Sequence, residues 1–231
     1  MKLKFALAAA TLIAAQSASS ATLQLEYSGS AAGYERVNLI EVPVDVAGDL
    51  TRVSAGGFAM NDMADGGLGD FIAWCLDLGA FLGTSGTHEY ETTEAPFGNG
   101  GVSLLAAGMQ RIANVFNANF GDDITANSTN SAAFQLALWE VVYDSDYNID
   151  TGAFKASSNA DVEAAAAGYL DAAANYSGAS LYDLTYLEST APNRRQNLVT
   201  AELAPVPLPA TGLMLMGAIG GIAAMKRRKK A

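Results

Sequence analysis

The sequence has very little cysteine and histidine and, away from its ends, very little positive charge. One cysteine, Cys75, and one histidine, His88, occur in 231 residues. A single cysteine forms no disulfide within its own chain. Of the 13 lysines and arginines, seven lie in the first four and last six residues, so six remain against 24 acids, a net charge of −18. A surface with that charge repels phosphates, which excludes nucleic acid as a partner.

The scarcity of histidine also limits the catalytic chemistry that the chain can carry. His88 opens the run His88-Glu89-Tyr90-Glu91, which matches the start of a zinc-protease helix, but the second histidine of that motif is missing. No Gly-x-Ser-x-Gly turn is present to build a serine triad around it. A surface histidine in a polar loop is therefore the favoured interpretation, and we predict that the protein is not an enzyme and uses no metal or cofactor.

One acidic run has the alternating oxygens of a calcium loop. From Asp144 to Asp150, side-chain oxygens stand at every second position. An EF-hand needs glycine where Ile149 stands and a bidentate glutamate where Lys155 stands. The pattern favours an acidic turn, and the sequence leaves calcium binding at Asp144 to Asp150 undecided.

Both ends of the chain are apolar and carry short basic stretches. Residues 1–21 combine a basic start, an apolar run and small residues before Thr22, the pattern of a secretory signal peptide. We therefore expect a signal helix that directs export, followed by an extracellular domain over 22–204.

The segment 205–231 has three consecutive parts. A strip with alternating prolines, 205–210, cannot form a helix interior because proline lacks a backbone donor. The uncharged run 211–225 would span about 22 Å as a helix at about 1.5 Å per residue, short of a hydrocarbon core of about 30 Å. A basic cluster follows at 226–230 and is expected to stay on the cytoplasmic side. We predict a short transmembrane helix that anchors the chain temporarily.

This order of motif, short helix and basic end resembles the VPLPA variant of the PEP-CTERM sorting signals of Gram-negative bacteria. The motif residues are Val206, Pro207, Leu208, Pro209 and Ala210. The resemblance implies that a membrane-embedded, exosortase-like sorting protease is a partner and cleaves near the motif. The protein would then leave the inner membrane for the cell surface or the medium.

Apolar periodicity predicts a single α+β domain between the two ends. Strands are expected where apolar and polar residues alternate, and helices where apolar residues recur every three or four positions. The strands fall near 23–27, 42–46, around Cys75, and over 181–187 and 196–203, and the helices over 102–116, around Gln135 and over 159–175. We expect an antiparallel β-sandwich or barrel-like sheet with an inserted group of helices.

The only cysteine lies in Trp74-Cys75-Leu76-Asp77, and a later segment, 134–139, places Gln135 among apolar residues at helical spacing. The two segments resemble the paired motifs of the Cys-Gln thioester domain family, over roughly residues 30 to 200. The resemblance implies that the Cys75 sulfur attacks the side-chain carbonyl of Gln135, expels ammonia and leaves an internal thioester.

An internal thioester needs shielding from water, and we expect the apolar side chains of Trp74, Phe134 and Trp139 to supply that cover. An amine on a partner surface would attack the Gln135 carbonyl and release the Cys75 thiol, which makes one covalent bond without turnover. The alternative is an ordinary buried thiol beside an ordinary helix glutamine, since free cysteine is among the most buried residue types.

Two functions follow from this sequence. The first is an exported surface or matrix protein that acylates amines on a partner and so adheres covalently. The alternative is a structural or biofilm-matrix protein of the same fold whose Cys75 and Gln135 do not react.

We predict that protein recovered from outside the cell lacks the chain from about Leu208 onward, because the short helix and the proline strip suit cleavage. Intact mass and C-terminal peptide mapping check this. Recovery of peptides from 226–231 in that fraction would contradict it.

Overall fold

The computed structural model describes residues 21–100, 104, 106–190 and 194–205, and they form one α+β domain. Its strands are β1 (Thr22–Ser30), β2 (Glu35–Glu41), β3 (Arg52–Ala55), β4 (Phe58–Asp62), β5 (Asp70–Cys75), β6 (Thr87–Thr93), β7 (Lys155–Ser157), β8 (Tyr182–Ser189) and β9 (Leu198–Leu203). Its helices are α1 (Ala106–Asn119), α2 (Ser128–Tyr143) and α3 (Ala160–Ala174). Short 3₁₀ turns lie at Ala47–Asp49 and Asp122–Thr125.

Six strands close into an antiparallel barrel in the order β1-β4-β5-β9-β8-β6, with β6 returning to β1. Closure removes the free edges that an open sheet exposes to other chains. Because side chains alternate across a strand, one set from each wall fills the interior. That inner cluster contains Leu23, Leu25, Met60, Ala73, Tyr90, Leu187 and Leu198.

The three helices and a second small sheet lie on the outside of this barrel. The order of the small antiparallel sheet is β3-β2-β7. Helix α2 is almost wholly buried, since every residue from Ser131 to Tyr143 is classed as buried. It packs between α1, α3 and the two sheets. A helix surrounded in this way needs apolar residues on all of its faces, and the sequence of α2 provides them.

Side-chain caps explain where α2 and α3 begin. The Asn127 side chain accepts a hydrogen bond from the Asn130 backbone N–H at 2.9 Å. The Asn159 side chain accepts one from the Val162 N–H at 3.0 Å. Each cap satisfies a backbone donor that the first turn of a helix leaves unpaired.

The expected α+β class is confirmed, with a barrel as the sheet and all three helices inserted between β6 and β8. The helices around Gln135 and over 159–175 are present, and α1 continues to Asn119, about one turn beyond the expected end. The expected start of that helix, at residue 102, lies outside the described residues. So do the expected signal helix and the segment 206–231.

Two local predictions are wrong. Residues 42–46 form no strand, because Pro43 supplies no backbone donor to a ladder; Val42 and Val44 instead pack against the core from a loop. His88 lies on β6 rather than in a polar loop, because the run Thr87–Thr93 pairs with both β1 and β8. Strand pairing there overrides a sequence with little apolar content.

None of the helices within the described residues is long and apolar enough to cross a membrane.

Ser131 fastens α2 to the turn between β3 and β4. Its hydroxyl, fully buried, accepts a hydrogen bond from the Gly57 backbone N–H at 2.9 Å. We expect Ser131→Ala to lower the free energy of unfolding by about 1 to 3 kcal/mol, because the Gly57 donor is left buried and unpaired. Urea denaturation measures this change. The matched control is Ser177→Ala, an exposed position, and equal small losses from both variants would contradict the assigned role.

Candidate functional site

Cys75 is the last residue of β5 and is buried, with 1% of its surface exposed. Its thiol donates to the Asp77 backbone oxygen at a sulfur-to-oxygen distance of 3.3 Å. Burial raises the pKa of the Cys75 thiol well above its ordinary value, and the nearby Asp77 carboxylate raises it further. The thiol is therefore protonated at neutral pH.

The Gln135 side chain, on α2, binds the backbone of Cys75 with both ends of its amide. The Cys75 N–H donates to Gln135 Oε1 at 2.8 Å, and Gln135 Nε2 donates to the Cys75 carbonyl at 2.7 Å. Gln135 has no exposed surface. The structure thus brings together two residues 60 positions apart in sequence, and the paired bonds fix the orientation of the amide.

The barrel explains why the Cys75 backbone needs a side-chain partner. On one side β5 pairs with β9, where the Leu76 N–H donates to the Asn197 oxygen at 2.9 Å. On the other side β4 begins only at Phe58, opposite Ala73. The Cys75 N–H and carbonyl face that unpaired side, and the Gln135 amide satisfies both groups as another strand residue would.

Gln135 belongs to a row of α2 side chains spaced four residues apart. Residues four apart lie on one helix face, and this row faces the barrel. Ser131 binds the Gly57 N–H, Gln135 binds Cys75, and the Tyr143 hydroxyl accepts from the Leu78 N–H at 2.7 Å. The fourth member is Trp139. Its indole N–H lowers the pKa of the Cys75 thiol, but burial, which raises that pKa, has the larger effect. The indole N–H and the thiol do not form a hydrogen bond of normal geometry.

The three aromatic residues expected around the pair are all buried. Trp74 and Phe134 have no exposed surface, and Trp139 has 2%. The rings of Trp74 and Phe134 meet edge to face with their centres 4.7 Å apart, a favourable aromatic geometry.

Sequence reasoning named Asp77 but missed Arg194 and Tyr143, which help to hold the segment after Cys75. Asp77 is 1% exposed and forms an ion pair with Arg194, while its other oxygen accepts from the Gly79 N–H at 2.8 Å. Asp77, Gly79 and Arg194 line a surface cleft together with Val44 and Asp45. No sequence spacing points to Arg194. Tyr143 could have been predicted, because it continues the four-residue spacing of Gln135 and Trp139 along one face of α2.

The remaining candidates lie elsewhere. His88 is half-buried on β6, and within the described residues no hydrogen bond joins its side chain to a serine or an acid. The acidic run forms a turn after α2, where Asp144 and Asp146 approach the buried Glu140 of the helix. The sorting-motif residues Val206 to Ala210 lie outside the described residues.

No protein-family model matches the chain, and no curated protein matches it. Solved structures to which this chain is similar include two domains of Streptococcus pyogenes proteins. The N-terminal domain of the pilus tip adhesin Cpa matches at 15% identity and a TM-score of 0.45, covering 78% of this chain and 98% of that chain. The N-terminal thioester domain of the fibronectin-binding protein SfbI matches at 16% identity and a TM-score of 0.44, covering 75% and 95%.

We expect Gln135→Leu to lower the free energy of unfolding by about 2 to 5 kcal/mol, because the Cys75 N–H and carbonyl are both left buried and unpaired. Urea denaturation measures the change in a Cys75→Ala background, where no thioester can form. The control is Gln110→Leu, at an exposed glutamine of α1, with an expected loss within about 0.5 kcal/mol. Similar losses from both variants would count against the paired bonds.

Proposed function

We propose that the protein is an exported surface or matrix protein in which Cys75 and Gln135 form an internal thioester that acylates an amine on a partner. The observation that carries this proposal is that the only thiol of the chain belongs to the residue whose backbone holds the Gln135 amide through two hydrogen bonds. An amide is a poor acyl donor, so such positioning is the main help that a protein offers to the reaction.

The first step forms a bond between Cys75 Sγ and the side-chain carbonyl carbon of Gln135. Negative charge then develops on Gln135 Oε1, which already accepts the Cys75 N–H at 2.8 Å; this donor stabilises the tetrahedral intermediate. The thiol proton passes to Gln135 Nε2, the carbon–nitrogen bond breaks and ammonia leaves. Because burial keeps the thiol protonated, the step is slow, which suits a bond made once in the life of the protein.

The second step consumes the thioester. An amine on the partner attacks the Gln135 carbonyl carbon, the carbon–sulfur bond breaks, and the amine proton moves to the Cys75 sulfur. The product is an amide to the partner and a free thiol. Burial of Cys75 and Gln135 at 1% and 0% exposure keeps water from the bond in the meantime.

The partner amine needs a path to the buried pair, and the cleft beside Asp77 is the route that we favour. Asp77 lines that cleft and its carbonyl accepts from the Cys75 thiol. The acidic side chains of Asp45 and Asp77 suit a cationic amine such as a lysine, and Arg194, which pairs with Asp77, would have to move aside.

Export, temporary anchoring and release by an exosortase-like protease belong to the same proposal. They are supported by the signal-peptide pattern of 1–21 and by the proline strip, short apolar run and basic cluster of 205–231. Together they would display the domain on the surface or outside the cell.

A structural role without chemistry is the second candidate. It is favoured by the fact that Gln135 caps an unpaired strand end, a task that stabilises the fold with no bond to sulfur. The same fold would then serve in an extracellular matrix with a silent pair.

We expect the intact mass of the purified protein to be lower than its sequence value by one ammonia. Methylamine should then add one molecule of itself and free one thiol, which is titrated after denaturation because burial hides Cys75 in the native fold. High-resolution mass spectrometry of protein purified without amine buffers measures both changes.

Cys75→Ala and Gln135→Ala are the controls, and each should show its full sequence mass and no methylamine adduct. A wild-type protein of full mass, with one thiol found after denaturation, would overturn the thioester and leave the structural candidate.

A further inference from the structure

Three carboxylates converge at the C-terminal end of α2. They are Glu140 from the helix and Asp144 and Asp146 from the following turn. One oxygen of each lies within 4.8 Å of the others. Within the described residues, no lysine, arginine or histidine makes an ion pair with any of the three.

The group that distinguishes this cluster from an ordinary acidic turn is Glu140. Its side chain is fully buried, with 0% exposure. One oxygen accepts the Asn148 N–H at 3.1 Å, whereas Oε2 has no hydrogen-bond partner and belongs to the carboxylate that faces Asp144 and Asp146. A buried carboxylate oxygen without a donor is costly, so it requires a positive charge or a proton from outside the described side chains.

We propose that Glu140, Asp144 and Asp146 form a binding site for a divalent cation of the calcium class. The ligands are all carboxylate oxygens, which calcium prefers, and calcium–oxygen distances of about 2.3 to 2.6 Å place opposite ligands about 4.6 to 5.2 Å apart. The observed spacing of up to 4.8 Å accommodates such an ion. Magnesium needs shorter distances and a stricter octahedron, so it fits this open set less well.

The arrangement also explains why the linear pattern argued against calcium. An EF-hand takes its bidentate glutamate from the last position of its 12-residue loop, where this chain has Lys155. Here the buried carboxylate comes from upstream, from Glu140 on α2, and Lys155 is engaged with Glu41 at 2.6 Å. A cation bound there would also lie at the negative end of the α2 dipole, which favours positive charge.

Binding of calcium chloride to the purified protein, measured by isothermal titration calorimetry, tests this site. We expect a single-site isotherm with a Kd at or below about 10⁻³ M, the weak end of extracellular calcium modules. The melting temperature should rise with calcium, return on chelation, and rise less with the same concentration of magnesium chloride.

Two variants remove ligands in different ways. Asp146→Asn changes an exposed residue with little risk to folding, and Glu140→Gln replaces the buried carboxylate by an amide of the same shape. Each should weaken calcium binding at least tenfold. Glu140→Gln should be no less stable than the wild type without calcium, because a neutral amide of the same shape replaces a carboxyl whose ionisation burial disfavours.

The matched control is Asp150→Asn, which makes the same charge change at an exposed position of the same turn outside the cluster. It should keep calcium affinity within about twofold. No heat and no shift in melting temperature up to about 10 mM calcium, well above the weakest modules, would overturn the site. So would equal weakening by Asp150→Asn and Asp146→Asn, which would reduce the effect to general charge attraction.

Discussion

The fold depends on satisfying the backbone groups of strand ends that are buried beneath a helix. Where β4 stops short of β5, the N–H and carbonyl of Cys75 face the interior with no strand beside them. An unpaired backbone group at such a depth costs about 1 to 3 kcal/mol. Side chains of α2 remove that cost at three successive points, through Ser131, Gln135 and Tyr143. The helix is therefore tied to the barrel by direction-specific bonds as well as by apolar packing.

That same constraint creates the candidate chemistry. Holding a glutamine amide rigidly against a strand is a structural solution to an unpaired edge, and it becomes a reactive arrangement when the strand residue is a cysteine. The N–H that satisfies Gln135 Oε1 in the resting fold is the donor that would stabilise charge on that oxygen during attack. The same hydrogen bonds would therefore stabilise the fold and assist the reaction. For this reason the mass of the protein, and not its fold, distinguishes the two candidate functions.

The middle and the C-terminal end of α2 have different electrostatic surroundings. Near Cys75 the side chains of Trp74, Phe134 and Trp139 are all buried, and this apolar cover would protect the proposed thioester from water. At its C-terminal end the helix presents Glu140 to the acidic turn, where burial raises the pKa of that carboxyl to about 8, assisted by Asp146. A buried helix with an unbalanced acidic end gains from an external positive charge.

The sequence by itself determined the α+β class, helices α2 and α3, and the pairing of Cys75 with Gln135 as a hypothesis, because periodicity and short motifs are local properties of the chain. It did not reveal β6 or the loop at 42–46, since strand formation depends on partners far away along the chain. Only the tertiary structure decided that Gln135 binds the Cys75 backbone, that Arg194 pairs with Asp77, and that Glu140 joins Asp144 and Asp146. These contacts form where strand ends and helix ends meet in the folded domain, and no sequence spacing predicts where they meet.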